Sequence, residues 1–115
     1  MQLNSQFDYQ EFLKNSWQKT PKILRNFLSY ERLITPDELA GLACESFAES
    51  RLVQKNPPKS VEHGPFLEEL FEELPSEDWT LLVQSVDLYD DHTRHIKKLF
   101  DYIPGWRIDD IMGSF

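Results

Sequence analysis

Thr35-Pro36-Asp37-Glu38-Leu39-Ala40-Gly41-Leu42-Ala43, and Arg51-Leu52-Val53-Gln54 soon after it, decide the fold class. Thr35 has the chemistry of a helix cap. Its hydroxyl can accept from the backbone N–H three residues on, while Glu38 reaches back to close a capping box. Pro36 suits the first helical position, where a missing N–H loses no partner. Leu39, Leu42 and Ala43, then Ser46 or Phe47, recur at helical spacing and predict an inward stripe. Arg51 to Gln54 reads as a strand. A capped helix running on into a strand predicts a mixed α+β chain.

The flanking segments extend this pattern. Toward the N-terminus, Asp8 caps a helix, with Glu11 completing the capping-box pattern and Tyr9, Phe12, Leu13 and Ser16 or Trp17 at helical spacing. Pro21 ends it, and Lys22 to Phe27 is expected to be extended. Toward the C-terminus, Asn56-Pro57-Pro58-Lys59 is a turn, and Ser60 to His63 returns as the second arm of a hairpin. Gly64-Pro65 opens a third helical stretch with Leu67, Leu70, Phe71 and Leu74 inward, and Pro75 stops it. Trp79 to Leu88 is rich in Leu and Val and predicts a strand. Asp90 or Asp91 caps a last helix with His95, Ile96, Leu99 and Phe100 inward. Pro104-Gly105 breaks that helix, and Trp106 to Phe115 ends extended. No repeat or long linker divides the 115 residues, so they read as one domain. The chain stops inside an apolar run, where natural domain ends are usually polar, which suggests that the fold continues past Phe115.

Composition narrows the partners. Hydrophobic residues at 40% and charged residues at 28% are globular values. Twenty acidic against twelve basic residues give a formal net charge of −8, which opposes tight binding to phosphate backbones and suits a basic protein partner. The single cysteine, Cys44, excludes an internal disulfide; with no signal peptide, the cytoplasm is the expected compartment. No apolar run approaches the roughly 20 residues that a membrane helix needs.

None of the residues capable of chemistry forms a working set. His92 and His95 lie on adjacent turns, but not at the His-Glu-x-x-His spacing of a zinc protease helix. They read as a solvated His92 and a partly buried His95. His63 before Gly64-Pro65 reads as a turn residue. Cys44, followed by Glu45, lacks the electropositive surroundings of a reactive thiolate and reads as a packed side chain. Glu68, Glu69, Glu72 and Glu73 have the spacing of a solvated helix face. Trp17, Trp79 and Trp106 are expected in the core. Asp109 and Asp110 are adjacent, so on a strand they face opposite sides and make a poor acid/base pair.

Read in order, several segments carry a resemblance. Phe12-Leu13, Trp17-Gln18-Lys19 and Pro21, the helix Ile34 to Ala43, and Ser50-Arg51-Leu52-Val53 resemble successive parts of bacterial JmjC-type, cupin-fold ribosomal oxygenases. His63-Gly64-Pro65-Phe66, Trp79-Thr80-Leu81-Leu82-Val83-Gln84 and Trp106-Arg107-Ile108-Asp109-Asp110-Ile111-Met112 continue the series. The resemblance implies N-terminal helices and strands, plus the first strand of an incomplete cupin-type double-stranded β-helix. It implies an Fe(II)- and 2-oxoglutarate-dependent oxygenase that hydroxylates an arginine of a large-subunit ribosomal protein. That makes the partner a basic ribosomal protein, with no nucleic acid bound directly and no membrane.

In that family the His-x-Asp iron ligands follow the Trp-Arg-Ile-Asp-Asp segment, beyond a glycine-rich turn. This sequence contains no His-x-Asp, so no catalytic, metal or cosubstrate residue carries over, and none is expected to act here. The family's last matched strand lines the active-site cavity. Met112 and Ser114 share one of its faces and are the candidate lining residues; Ile111 and Phe115 belong to the other. The expectation is an oxygenase piece inactive by itself, with two alternatives: a non-enzymatic acidic module that binds a basic ribosomal protein, or one half of a split enzyme.

Overall fold

The computed structural model describes residues 2–29, 32–55 and 58–115. Short strands β1 (Gln2–Leu3) and β2 (Leu28–Ser29) pair antiparallel around helix α1 (Tyr9–Asn15). Asp8 caps α1 as its chemistry predicts, accepting from the N–H groups of Gln10 and Glu11. Glu11 turns elsewhere: its carboxylate takes Lys22 at 3.0 Å and the Asn15 amide at 3.2 Å. These two bonds, Lys22 first, hold its carboxyl below the ordinary value. Helix α2 (Pro36–Ala43) shows the complete capping box between Thr35 and Glu38.

The larger sheet combines β3 (Ser50–Gln54), β4 (Ser60–His63), β5 (Trp79–Val83) and β6 (Gly113–Ser114) in the order β4-β3-β5-β6, each pair antiparallel. Helix α3 (Glu68–Glu73) precedes β5, and α4 (Asp91–Lys98) follows it. Ser50 stands opposite Val83, and Leu52 opposite Leu81, so one face of the sheet carries the buried side chains. Helix α2 covers that face with Leu39 and Ala43, and Ala48, Phe66 and Val86 complete the core. Leu39, Leu52, Val83 and Val86 are fully buried; each such side chain contributes about 1.5–3 kcal/mol relative to exposure.

Two glycines sit where a side chain has no room. A Cβ on Gly113 would lie 2.7 Å from Leu39 Cδ1 and 3.2 Å from Val86 Cγ2. A Cβ on Gly64 would lie 2.0 Å from Ser50 Oγ, beside the Ala43 carbonyl. A second, aromatic cluster ties the N-terminal part to the segment after α4. Tyr102 is its centre, stacked on Tyr9 at 5.7 Å between ring centroids and close to Phe7, Phe12 and Phe100. Phe27 joins through Phe7 and Phe100.

Several expectations are corrected. The strand from Trp79 ends at Val83, because Ser85 adopts a left-handed backbone (φ 54°) and Val86–Leu88 forms a 3-10 turn. The extended reading of Lys22 to Phe27 is interrupted by a turn at Arg25-Asn26, where Asn26 has φ 51°, and pairing begins at Leu28. The third helix starts at Glu68 rather than at Gly64-Pro65, which leaves Leu67 exposed outside it. Helix α2 ends at Ala43, so Ser46 and Phe47 leave the inward stripe and are exposed. On α4 it is Thr93 that is buried, while His95 faces solvent and His92 is half-buried. Trp106 is 77% exposed, with the Arg107 guanidinium 4.4 Å over its ring, and takes no place in the core. The expected turn at Asn56-Pro57-Pro58-Lys59 lies partly outside the described residues, but the hairpin it joins is present.

Candidate functional site: the open face of the sheet

Successive strand residues point to opposite faces. Since Gly113 backs onto Leu39, Ser114 faces away from α2. Its register neighbour is Leu82, and the next across is Arg51, so Arg51, Leu82 and Ser114 form one row on the face that α2 does not cover. Val53 and Val61 form a parallel row. Met112 precedes β6 and is exposed, as is Ser114. The two predicted lining residues are thus at the accessible end of this face.

A chain of polar contacts crosses it. Arg51 Nη2 donates to Gln84 Oε1 at 3.2 Å, and Gln84 Nε2 donates to Asp110 Oδ2 at 3.2 Å. The backbone N–H and the hydroxyl of Ser85 both donate to the same oxygen at 2.9 Å. The Ser85 hydroxyl is the main reason that the Asp110 carboxyl lies below its ordinary value; burial opposes it, and the Ser85 N–H and Gln84 add to the lowering. All three contacts fall on Oδ2. Asp109, its neighbour, is exposed.

Directly behind, Asp87 fixes the same segment. It is buried in the 3-10 turn, accepts from the Ile111 N–H at 3.0 Å and pairs with Lys97 Nζ at 3.2 Å. Burial alone would raise its carboxyl; the Ile111 N–H and the Lys97 ammonium outweigh it and bring it below the ordinary value. Backbone bonds finish the attachment: Val86 N–H to the Ile111 carbonyl at 2.8 Å, and a reciprocal pair between Leu81 and Phe115. Sequence reasoning missed Asp87 and the Gln84–Ser85–Asp110 contacts. The available signal was Asp87 itself, a carboxylate inside an otherwise apolar run, where an unpaired charge is costly.

The remaining candidates are dispersed. His63 is exposed on β4, and His92 lies 3.3 Å from an Arg32 guanidinium nitrogen. Cys44 is half-buried at the end of α2; burial first, then Glu68, Glu45 and Glu69, raise its thiol above the ordinary value, opposite to a reactive thiolate. Trp17 and Trp79 are half-buried, and Trp79 packs against the core. Among the described residues no three His, Cys, Asp or Glu side chains are placed to hold a metal ion. The iron implied by the resemblance therefore has no ligand set in them. No helix among the described residues is long and apolar enough to cross a membrane.

No family model matches the chain. It is 43% identical, over its whole length, to ribosomal protein uL16 3-hydroxylase of Escherichia coli, of which it spans 31%. It is 33% identical over 90% of its length to a probable ribosomal oxygenase of Haemophilus influenzae, spanning 26% of that protein. Among solved structures it superposes on YcfD, a ribosomal oxygenase from Escherichia coli, with a TM-score of 0.85 and 40% identity, covering 99% of this chain and 32% of that one. A structure of YcfD with cobalt and 2-oxoglutarate gives a TM-score of 0.85 at 41% identity, again with 99% of this chain covered and 31% of that one. Agreement of sequence and backbone from one end of the chain to the other makes it homologous to the N-terminal third or so of a ribosomal oxygenase.

Proposed function

We propose that these residues form the substrate-facing wall of an oxygenase that hydroxylates an arginine of a large-subunit ribosomal protein in the cytoplasm. In this reading the open sheet is the first wall of a cupin-type double-stranded β-helix, and the 115 residues act as one unit. Asp110, Met112 and Ser114, alternate residues spaced about 7 Å apart along an extended chain, share the face that lines the cavity. The supporting observation is the geometry at Asp110, a carboxylate whose Oδ2 accepts from Ser85 and Gln84 on that face. Such a group attracts and orients a guanidinium. Met112 supplies a flexible apolar contact for the aliphatic stem, and Ser114 a hydroxyl for a backbone or head-group contact. Iron and 2-oxoglutarate, with dioxygen as the oxidant, would supply the oxidising chemistry, held by residues other than these.

The reading is tested by mixing the chain with the complementary two thirds of the Escherichia coli relative, iron, 2-oxoglutarate and ribosomal protein uL16. Succinate release with hydroxylated arginine is expected from the mixture and not from the chain alone. Asp110→Asn in the mixture is expected to lower turnover about tenfold or more, a lost charge-assisted contact being worth that much. Turnover by the chain alone, or a folded mixture that stays inactive, overturns it. A second reading, an acidic module that holds a basic ribosomal protein without modifying it, is favoured by the net charge of −8. It would show as retention of uL16 with no hydroxylation in either sample.

A further inference from the structure

On the side of α2 turned away from the sheet lies a groove of about 400 Å³, lined by Ile34, Leu42, Phe47 and Tyr89, with Gly41 in its wall. Its aromatic pair is exposed yet fixed. Phe47 is 57% and Tyr89 38% exposed, with ring centroids 4.8 Å apart, and the Tyr89 hydroxyl donates to the Phe47 carbonyl at 2.9 Å. A fixed geometry means that little side-chain freedom is lost when something docks. The rim is acidic: Glu38, Glu45 and Asp90. Two of these carboxylates are already committed. Glu38 pairs with Arg32, and Asp90 caps α4 through Thr93. Glu45 has no ion pair among the described residues.

An aromatic surface next to an uncommitted carboxylate, in a groove with apolar walls, has the chemistry that receives an arginine: guanidinium over the rings, charge on Glu45, stem along Ile34 and Leu42. We propose that this groove is a docking site for an arginine-bearing segment of a partner polypeptide, separate from the open sheet face. Charge complementarity selects the occupant, since both the rim and the chain as a whole are acidic. The proposal stands whether or not the sheet face serves hydroxylation.

Gly41 makes a clean test possible. A Cβ built on it meets nothing within 4 Å, so Gly41→Phe should obstruct the groove without disturbing the core. The probe is acetyl-(Gly-Arg)4-amide, titrated into the 115-residue chain and followed by two-dimensional NMR, with the citrulline version as an uncharged control. Shifts are expected at Ile34, Leu42, Phe47 and Tyr89. Gly41→Phe, and Phe47→Ala combined with Glu45→Gln, are each expected to weaken binding about tenfold, and the citrulline peptide to show no saturable binding. Unchanged affinity in both variants overturns the proposal. So do equal binding of the citrulline peptide and shifts confined to the Glu68–Glu73 helix, which would mean attraction by net charge alone.

Discussion

Asp87 is the residue on which the C-terminal segment depends. It is 4% exposed, and its two oxygens are shared between the Ile111 N–H and the Lys97 ammonium. Replacing it with alanine leaves a buried N–H without its acceptor and removes the partner of Lys97, so Asp87→Ala is expected to cost about 1.5–3 kcal/mol. Denaturant titration at neutral pH measures that loss. The pH dependence follows from the lowered carboxyl. In the unfolded chain an aspartate titrates near the ordinary 3.8, and in the fold this one holds its charge to lower pH. Its contribution is therefore complete above that value and falls away as acid takes the pH through the folded one. Between pH 6 and pH 3 the wild type should lose more stability than Asp87→Ala; equal losses would mean that the pair contributes nothing.

Among the elements, the small N-terminal unit of β1, α1 and β2 meets the segment after α4 through aromatic contacts. Tyr102 is the hub of that contact, and burial raises its hydroxyl above the ordinary value. Ring pairs of this kind are worth about 0.5–1.5 kcal/mol each beyond the area they bury. Tyr102→Ala is accordingly expected to lower stability by about 2–4 kcal/mol. Its signature is local: the Asn4 N–H, which donates to the Phe27 carbonyl, should lose protection from hydrogen exchange, while Leu52 and Leu81 in the sheet exchange as before. Much of the element order was legible in the sequence, because caps are local chemistry. Asp8, Thr35 and Asp90 all act as the residues before them and after them predict. The failures lie where tertiary contacts decide. Nothing local marks Ser85 as left-handed; its conformation is supported by a carboxylate twenty-five residues away in the chain, on Asp110. The exposure of Leu67 and Trp106 is equally invisible, since both are apolar residues at positions where a longer helix or strand would have buried them.

At the scale of the whole molecule, two opposed forces act on the surface. The net charge of −8 keeps copies apart, while the open sheet face displays Val61 at 58% and Met112 at 47% exposure beside half-buried Val53 and Leu82. Raising salt to about 0.5 M screens the charge and leaves the apolar face unaffected, so the chain should self-associate more at high salt than at low. Val61→Lys should suppress that association in sedimentation velocity runs. If it does not, the sheet face is not the contact. The mixed fold class was readable from the sequence; the candidate site was readable only in part. Alternation along the last strand groups Met112 with Ser114, but which of its two sides meets solvent depends on the partner across the core.

That choice was made by a residue with no side chain. The space under Leu39 accepts only hydrogen at position 113, since even a methyl group there would come within 2.7 Å of it. Sliding the terminal segment one step along β5, in either direction, would thrust Met112 or Ser114 into that space and turn every neighbour to the wrong side. Only one alignment closes, so Gly113 acts as a key: it sets the reading frame of the strand, and with it the identity of whatever the open side presents.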